Sequence, residues 1–171
     1  MATNTPKIYV ACLSSYNSGI LHGEWIDANQ DEDDIQNEIQ EMLKQSPVPD
    51  KEEHAIHDYE GFYEIRISEY EDIETVSKLA QNIEAHGEAY ASYISDMNGD
   101  VEDDIEKFEE AYRGEYKNKK DFAYQLMHDC YTIPEFLESY IDYESYARDL
   151  FICDYSYASS EDRKIFVFMR M

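Results

Sequence analysis

An α+β fold built from small modules follows from three features of this 171-residue chain. Short stretches rich in strand formers stand near both ends, apolar residues recur with the helical period between them, and Gly or Pro punctuates the periodic segments. Lys7 to Leu13 (K-I-Y-V-A-C-L) reads as the first strand, Ser14 to Gly19 as a turn-rich loop, and Glu24 to Ala28, with the only tryptophan, as the second strand. Asp31 to Gln45 reads as a helix with Ile35, Ile39, Met42 and Leu43 inward and Asp31, Glu32, Asp33 and Asp34 where carboxylates favour a helix start. Pro47 and Pro49 end it, and His54 to Tyr59 returns as a third strand before Glu60-Gly61. These elements make a small α+β module with antiparallel strands, residues 1–61.

The next stretch, 62–113, reads as an acidic helical module. Ile73, Val76, Leu79, Ala80 and Ile83 line one face up to Gly87, and Tyr90, Tyr93, Ile94 and Met97 line another up to Gly99. Between Gly99 and Gly114, Val101, Ile105, Phe108 and Tyr112 form a single helical stripe surrounded by carboxylates. The last stretch, 114–171, reads as a second α+β module. Asn118 caps a helix with Phe122, Leu126, Met127 and Cys130 inward, and Pro134 opens a short helix through Phe136, Leu137 and Tyr140. Asp142 caps a third, carrying Tyr143, Tyr146, Ala147, Leu150 and Phe151, and Ile165 to Met169 closes the chain as a buried strand.

With 39 acids against 14 bases the net charge is −25, a self-repulsion that works against any compact state. A field of that sign repels nucleic acid and anionic membranes, which argues against direct nucleic-acid binding, and attracts basic proteins. The charge alone is equally consistent with a solvated, solubilising coat. Residues 1–60 carry 13 acids and 3 bases, 61–113 carry 15 and 4, and 114–171 carry 11 and 7. Self-association is therefore expected in the last third, where like-charge repulsion is weakest and aromatics are many. A tyrosine-rich internal core explains the same aromatics without a dimer. Cys12, Cys130 and Cys153 form no C-x-x-C pair and read as thiols of a reducing cytoplasm. No membrane-length apolar run and no signal-peptide pattern stands in the sequence, so a cytoplasmic protein is expected.

No catalytic motif, cofactor loop or metal-ligand spacing emerges, and no enzyme, cofactor or metal is expected. His54 and His57 stand in a segment that reads as strand or loop rather than the helix an H-x-x-H ligand pair requires. Asp96, Asn98, Asp100 and Asp104 imitate a calcium loop, but Gly99 falls at the fourth position instead of the sixth and Lys107 stands where the bidentate Glu belongs. Tyrosines beside acids have the wrong sign for base stacking; they offer an arginine-rich partner a ring face and a salt bridge together. Duplex DNA carries a charge per ~1.7 Å of axis, so 39 carboxylates match about 66 Å, or about 20 base pairs. If the modules are strung out, an elongated acidic rod of that charge fits a DNA groove.

Residues 8–28 (I-Y-V-A-C-L-S-S-Y-N-S-G-I-L-H-G-E-W-I-D-A), H-D-Y-E-G-F at 57–62, R-I-S-E-Y-E at 66–71, F-E-E-A-Y-R-G-E-Y at 108–116 and I-D-Y-E-S-Y-A-R-D-L-F-I-C-D-Y at 141–155 resemble the ArdA antirestriction proteins. The resemblance runs through nearly the whole chain; Ser156 to Lys164 is not matched. It implies a protein of plasmids, conjugative transposons or phages that inhibits type I restriction-modification enzymes by mimicking B-form DNA. It also implies an elongated homodimer of three small modules per subunit, with the interface in the C-terminal module.

On this reading the DNA-mimic acids are Asp31, Glu32, Asp33, Asp34, Glu38, Glu41, Glu69, Glu71, Asp72, Glu74, Asp100, Glu102, Asp103, Asp104, Glu106, Glu109 and Glu110. Tyr140, Tyr143, Tyr146, Phe151 and Tyr155 are the dimer-interface candidates. The partner expected is the DNA channel of a type I restriction-modification enzyme; the rival reading is an acidic adaptor or chaperone for basic proteins.

Overall fold

The apolar run at the start of the chain becomes a central strand because both of its edges find partners. A computed structural model describes residues 5–97, 101 and 105–171, and contacts divide the chain into two units, residues 1–102 and 103–171. In the first unit β1 (Lys7–Cys12) lies between β2 (Gly23–Asp27) and β3 (His54–Glu60), antiparallel to both. The register sets Ile8 opposite Ile26 and Val10 opposite Ile56, which gathers buried aliphatics on the inner face. The expected loop after β1 is instead a five-residue helix, α1 (Leu13–Asn17). The hydroxyl of its buried Ser15 lies 2.7 Å from that of Ser46, so each satisfies the other.

The first unit is completed by α2 (Glu32–Lys44), which buries Ile35, Ile39, Met42 and Leu43 as its period dictates, and α3 (Ile73–Asp96), whose cap Asp72 accepts the Thr75 N–H at 3.3 Å. Gly87 breaks α3 at φ 63° and ψ −149°, a region open to glycine and strained for other residues. Before the break Val76, Leu79, Ala80 and Ile83 are buried; after it Ala89, Tyr90 and Ala91 are. The break falls where the sequence places a change of face, but of Tyr90, Tyr93, Ile94 and Met97 only Tyr90 is buried; the other three are half-buried, and Ala89, Ala91 and Ser92 take the inner positions.

In the second unit α4 (Ile105–Ala111) is followed without a loop by β4 (Tyr112–Tyr116). Tyr112 continues the helical stripe in sequence, which predicts one helix through it. The antiparallel partner overrides that local signal: Tyr112 pairs with Phe168, and its ring stacks 5.2 Å from Phe108. Next come α5 (Lys119–Cys130), α6 (Glu135–Glu138), α7 (Tyr143–Cys153), β5 (Tyr155–Ser159) and β6 (Ile165–Met169), with β6 central in an antiparallel β4-β6-β5 sheet. Residues 156–164 contain most of β5 and the hairpin turn, closed by Ser160 N–H to Lys164 O at 2.9 Å.

The core under this sheet is Phe122, Ala123, Ala147, Leu150, Phe151 and Val167. The Phe122 ring lies 4.8 Å from Tyr155, 5.0 Å from Tyr116 and 5.6 Å from Phe151. Asn118 and Asp142 cap α5 and α7 as their sequence positions imply, accepting the N–H groups of Asp121 at 2.9 Å and Ser145 at 3.0 Å.

Candidate functional site

Helix starts and turns accumulate carboxylates because the free N–H groups and the positive end of the helix dipole favour them there. In the first unit Asp31, Glu32, Asp33 and Asp34 open α2, and all four are exposed; Asp31 makes no side-chain capping bond. Asp34, Glu38 and Glu41 follow one another along one side of α2, and all are exposed. Glu69, Asp72 and Glu74 are exposed around the start of α3, with Glu71 half-buried because it accepts the Ser68 hydroxyl at 2.8 Å. The Ser77 hydroxyl donates to the Gln30 carbonyl at 2.7 Å and so holds the start of α2 beside α3.

In the second unit Glu106, Glu109 and Glu110 share the face of α4 opposite buried Phe108, and all three are exposed. Asp100, Glu102, Asp103 and Asp104, also expected on this surface, lie outside the described residues, as does Asn98 of the calcium-like sequence.

The first unit's sequence holds 23 acids and 5 bases, a net −18, against 16 and 9 in the second, a net −7. Four of its five bases, Lys7, Lys44, Lys51 and Lys78, are engaged by nearby groups. Lys7 reaches Glu60 at 3.1 Å, Lys44 reaches Glu41 and Lys78 reaches Glu74, both at 2.6 Å, and Lys51 donates to the Lys44 and Ser46 carbonyls. Such exposed pairs contribute little to stability and leave the surrounding carboxylates uncompensated.

In the second unit Lys119, Lys120, Arg148 and Glu144 line an open groove of about 590 Å³ together with Ala147, Phe151 and Ile152, and Lys120 and Arg148 pair with Glu144 and Asp149, both at 3.3 Å. The Lys119 ammonium stands 3.9 Å from the Tyr157 ring centroid. Of the interface candidates, Tyr140 is 83% exposed, Tyr146 and Tyr155 are half-buried, and Tyr143 and Phe151 are buried within their own unit. Phe136 and Ile152, not singled out from the sequence for an interface, are 73% and 63% exposed. The sequence predicts Phe136 on the apolar side of a short helix; α6 spans one turn and buries none of its residues.

His128 ties α5 to α6: Nδ1 is 2.8 Å from the Tyr124 carbonyl and Nε2 is 3.2 Å from Glu138. The Tyr124 carbonyl, and after it the Glu138 carboxylate, raise its pKa. Tyr143, whose hydroxyl donates to Glu138 at 2.8 Å, is pushed up to about 12, first by burial and then by that bond. Cys12 is buried, Cys130 and Cys153 are exposed, and all three are free. Among the described residues no three His, Cys, Asp or Glu side chains gather as a metal would require, and no helix is long and apolar enough to cross a membrane.

The family model for antirestriction protein (ArdA) matches residues 8–162 of the 171. The chain belongs to the ArdA family. No curated protein sequence matches it. The ArdA match takes in both helix starts that carry the acids of the first unit, the α4 acids and the α5–α7 core, and ends in the hairpin turn before β6.

Proposed function

We propose that this ArdA family member inhibits type I restriction-modification enzymes by occupying their DNA channel, with Asp and Glu side chains standing in for backbone phosphates. It acts as an inhibitor, without catalysis or cofactor. The observation that carries the reading is the first unit's acidic surface: the carboxylates at the starts of α2 and α3 are exposed with one half-buried exception, and Lys7, Lys44 and Lys78 pair with Glu60, Glu41 and Glu74 rather than with the 31–34 cluster. A channel built to hold phosphates with Lys and Arg meets carboxylates that make charge-assisted hydrogen bonds of the same kind. Release of ions held near the paired charges contributes affinity, less than duplex DNA gains from its condensed counterions.

The proposal includes three modules, 1–61, 62–113 and 114–171, strung along an elongated homodimer that joins through the last of them, in the cytoplasm of a cell carrying a mobile element. Titration of the purified protein into type I cleavage and methylation assays tests the function. Inhibition that rising duplex concentration overcomes supports it. Inhibition indifferent to DNA concentration, or equal binding to unrelated basic proteins, refutes it in favour of an acidic adaptor. Light scattering and small-angle scattering test the dimer and its extension.

A further inference from the structure

The outer face of the first sheet carries a feature that phosphate mimicry does not require. Paired residues in antiparallel strands share a face, and the register sets Tyr9 opposite Trp25 on one side and Asp58 on the other, with Lys7 opposite Asp27 and Glu60. This face of the sheet therefore carries two rings, three carboxylates and one lysine. The Tyr9 and Trp25 rings lie 5.5 Å apart at 58°, and Trp25 is 39% exposed. Gly23 makes room for this arrangement: a Cβ there would stand 2.8 Å from the Tyr9 hydroxyl oxygen.

The Lys7 ammonium lies 3.1 Å from the Glu60 carboxylate and 5.1 Å from the centroid of the Trp25 ring. A ring face and a carboxylate thus already hold a cation between them. The geometry points to a seat for an arginine side chain of the partner protein, kept by Lys7 in the free molecule and yielded when a guanidinium arrives.

Guanidinium is the better occupant of this seat. It is planar and stacks on indole, it is less strongly hydrated than ammonium, and its fork engages a carboxylate through two parallel bonds. Lys7 offers a single point charge to the same groups. Duplex DNA presents its backbone without an indole, so this seat adds a contact that the imitated ligand lacks. A partner's loss of contact with Asp27, Asp58 and Glu60 costs only screened charge; loss of the Trp25 ring removes the preference for arginine over lysine. The inference rests on the proposed function only for the identity of the partner, a basic nucleic-acid channel.

The test uses the full chain and two peptides of equal charge, nona-arginine and nona-lysine, at fixed salt. Trp25 is the only tryptophan, so its emission reports on the seat alone. The arginine peptide is expected to change Trp25 emission and to bind more tightly than the lysine peptide. Trp25→Leu is expected to weaken arginine-peptide binding by about two- to fivefold, the range of an exposed cation–π contact, with the lysine peptide affected less. Trp25→Phe, which keeps a ring, falls between, and circular dichroism verifies that each variant is folded.

Lys7→Gln vacates the seat and is expected to tighten arginine-peptide binding more than Lys44→Gln, which removes the same charge and frees Glu41 elsewhere on the unit. Equal affinities for the two peptides with unchanged emission overturn the inference, as does equal tightening by Lys7→Gln and Lys44→Gln. Either result leaves DNA-competitive inhibition standing if the wild type shows it; absence of that inhibition with the peptide results as expected removes the mimic reading and leaves the seat.

Discussion

Neutralising the opening of α2 tests the acidic surface at its densest point. The variant is Asp31→Asn, Glu32→Gln, Asp33→Asn and Asp34→Asn together. All four carboxylates are exposed, and none is held by a base or a capping bond. The duplex value of ~0.9 in the log–log salt slope per phosphate contact is a ceiling for protein carboxylates, which condense fewer counterions. Four lost contacts then flatten the slope by at most ~3.6, and over a fourfold rise in salt remove on the order of 100-fold of salt-dependent affinity.

The helix itself survives the change. Three first-turn acids contribute about 0.3–1 kcal/mol each through the helix dipole, and relief of their mutual repulsion offsets part of that. Asp31 makes no side-chain capping bond that Asn would lose, and Ile35, Ile39, Met42 and Leu43 still bury the inner face. The assay is inhibition of a type I enzyme at several salt concentrations, with helicity followed by circular dichroism. A single Asp33→Asn change is expected to have a small effect. If the quadruple variant is folded and inhibits with unaltered affinity and salt slope, the reasoning fails.

Phe122→Ala removes the ring that Tyr116, Phe151 and Tyr155 surround and is expected to destabilise the second unit by about 3–5 kcal/mol in denaturant titration. Gly23→Ala places a Cβ 2.5 Å from the Val10 carbonyl oxygen, a backbone atom that cannot swing aside, and a loss of about 1–3 kcal/mol is expected in the same measurement. His128 has a raised pKa, so its contribution is complete below its unfolded value of about 6.5 and fades as pH rises through the folded value. The Tm difference between wild type and His128→Gln is accordingly expected to be widest near pH 6 and to close toward pH 9. Added salt screens the self-repulsion of the −25 chain and raises its Tm, while the same salt weakens inhibition.

Much of this fold was legible because its strongest signals are local. The helix expected over 31–45 is observed at Glu32–Lys44 with the inward residues expected of it, and the caps Asn118 and Asp142 act where they stand in sequence. What escaped is tertiary. Tyr112 fits a helical stripe as well as a strand, and only the pairing with Phe168 decides between them. Tyr155, Tyr157 and Ser159 alternate in β5 with Ser156 and Ala158, a period-two signal too short to decide without β6 beside it. Of the acidic surface, exposure was legible from the helical period, but the placement of the start of α2 beside α3 depends on Ser77 reaching the Gln30 carbonyl, a bond between residues 47 apart in sequence.

The placement of the bases bears on why so unbalanced a charge is retained. A coat whose only task is solubility tolerates bases wherever they relieve repulsion, and the densest acid cluster, at residues 31–34, is where relief would count most. Instead Lys44 sits a full helix length away at the other end of α2, against Glu41, and Lys78 pairs with Glu74 on α3. At the 1.5 Å rise per residue of a helix, Lys44 lies about 15 Å along the axis from Asp34, beyond a Debye length of ~8 Å at physiological salt. Its charge is therefore largely screened from the cluster, and the first turn of α2 keeps its full negative field. That field destabilises the unit that carries it and attracts a basic channel, two effects that salt weakens together: the opposite movement of Tm and inhibition with salt is the signature that separates a working surface from a solubilising one.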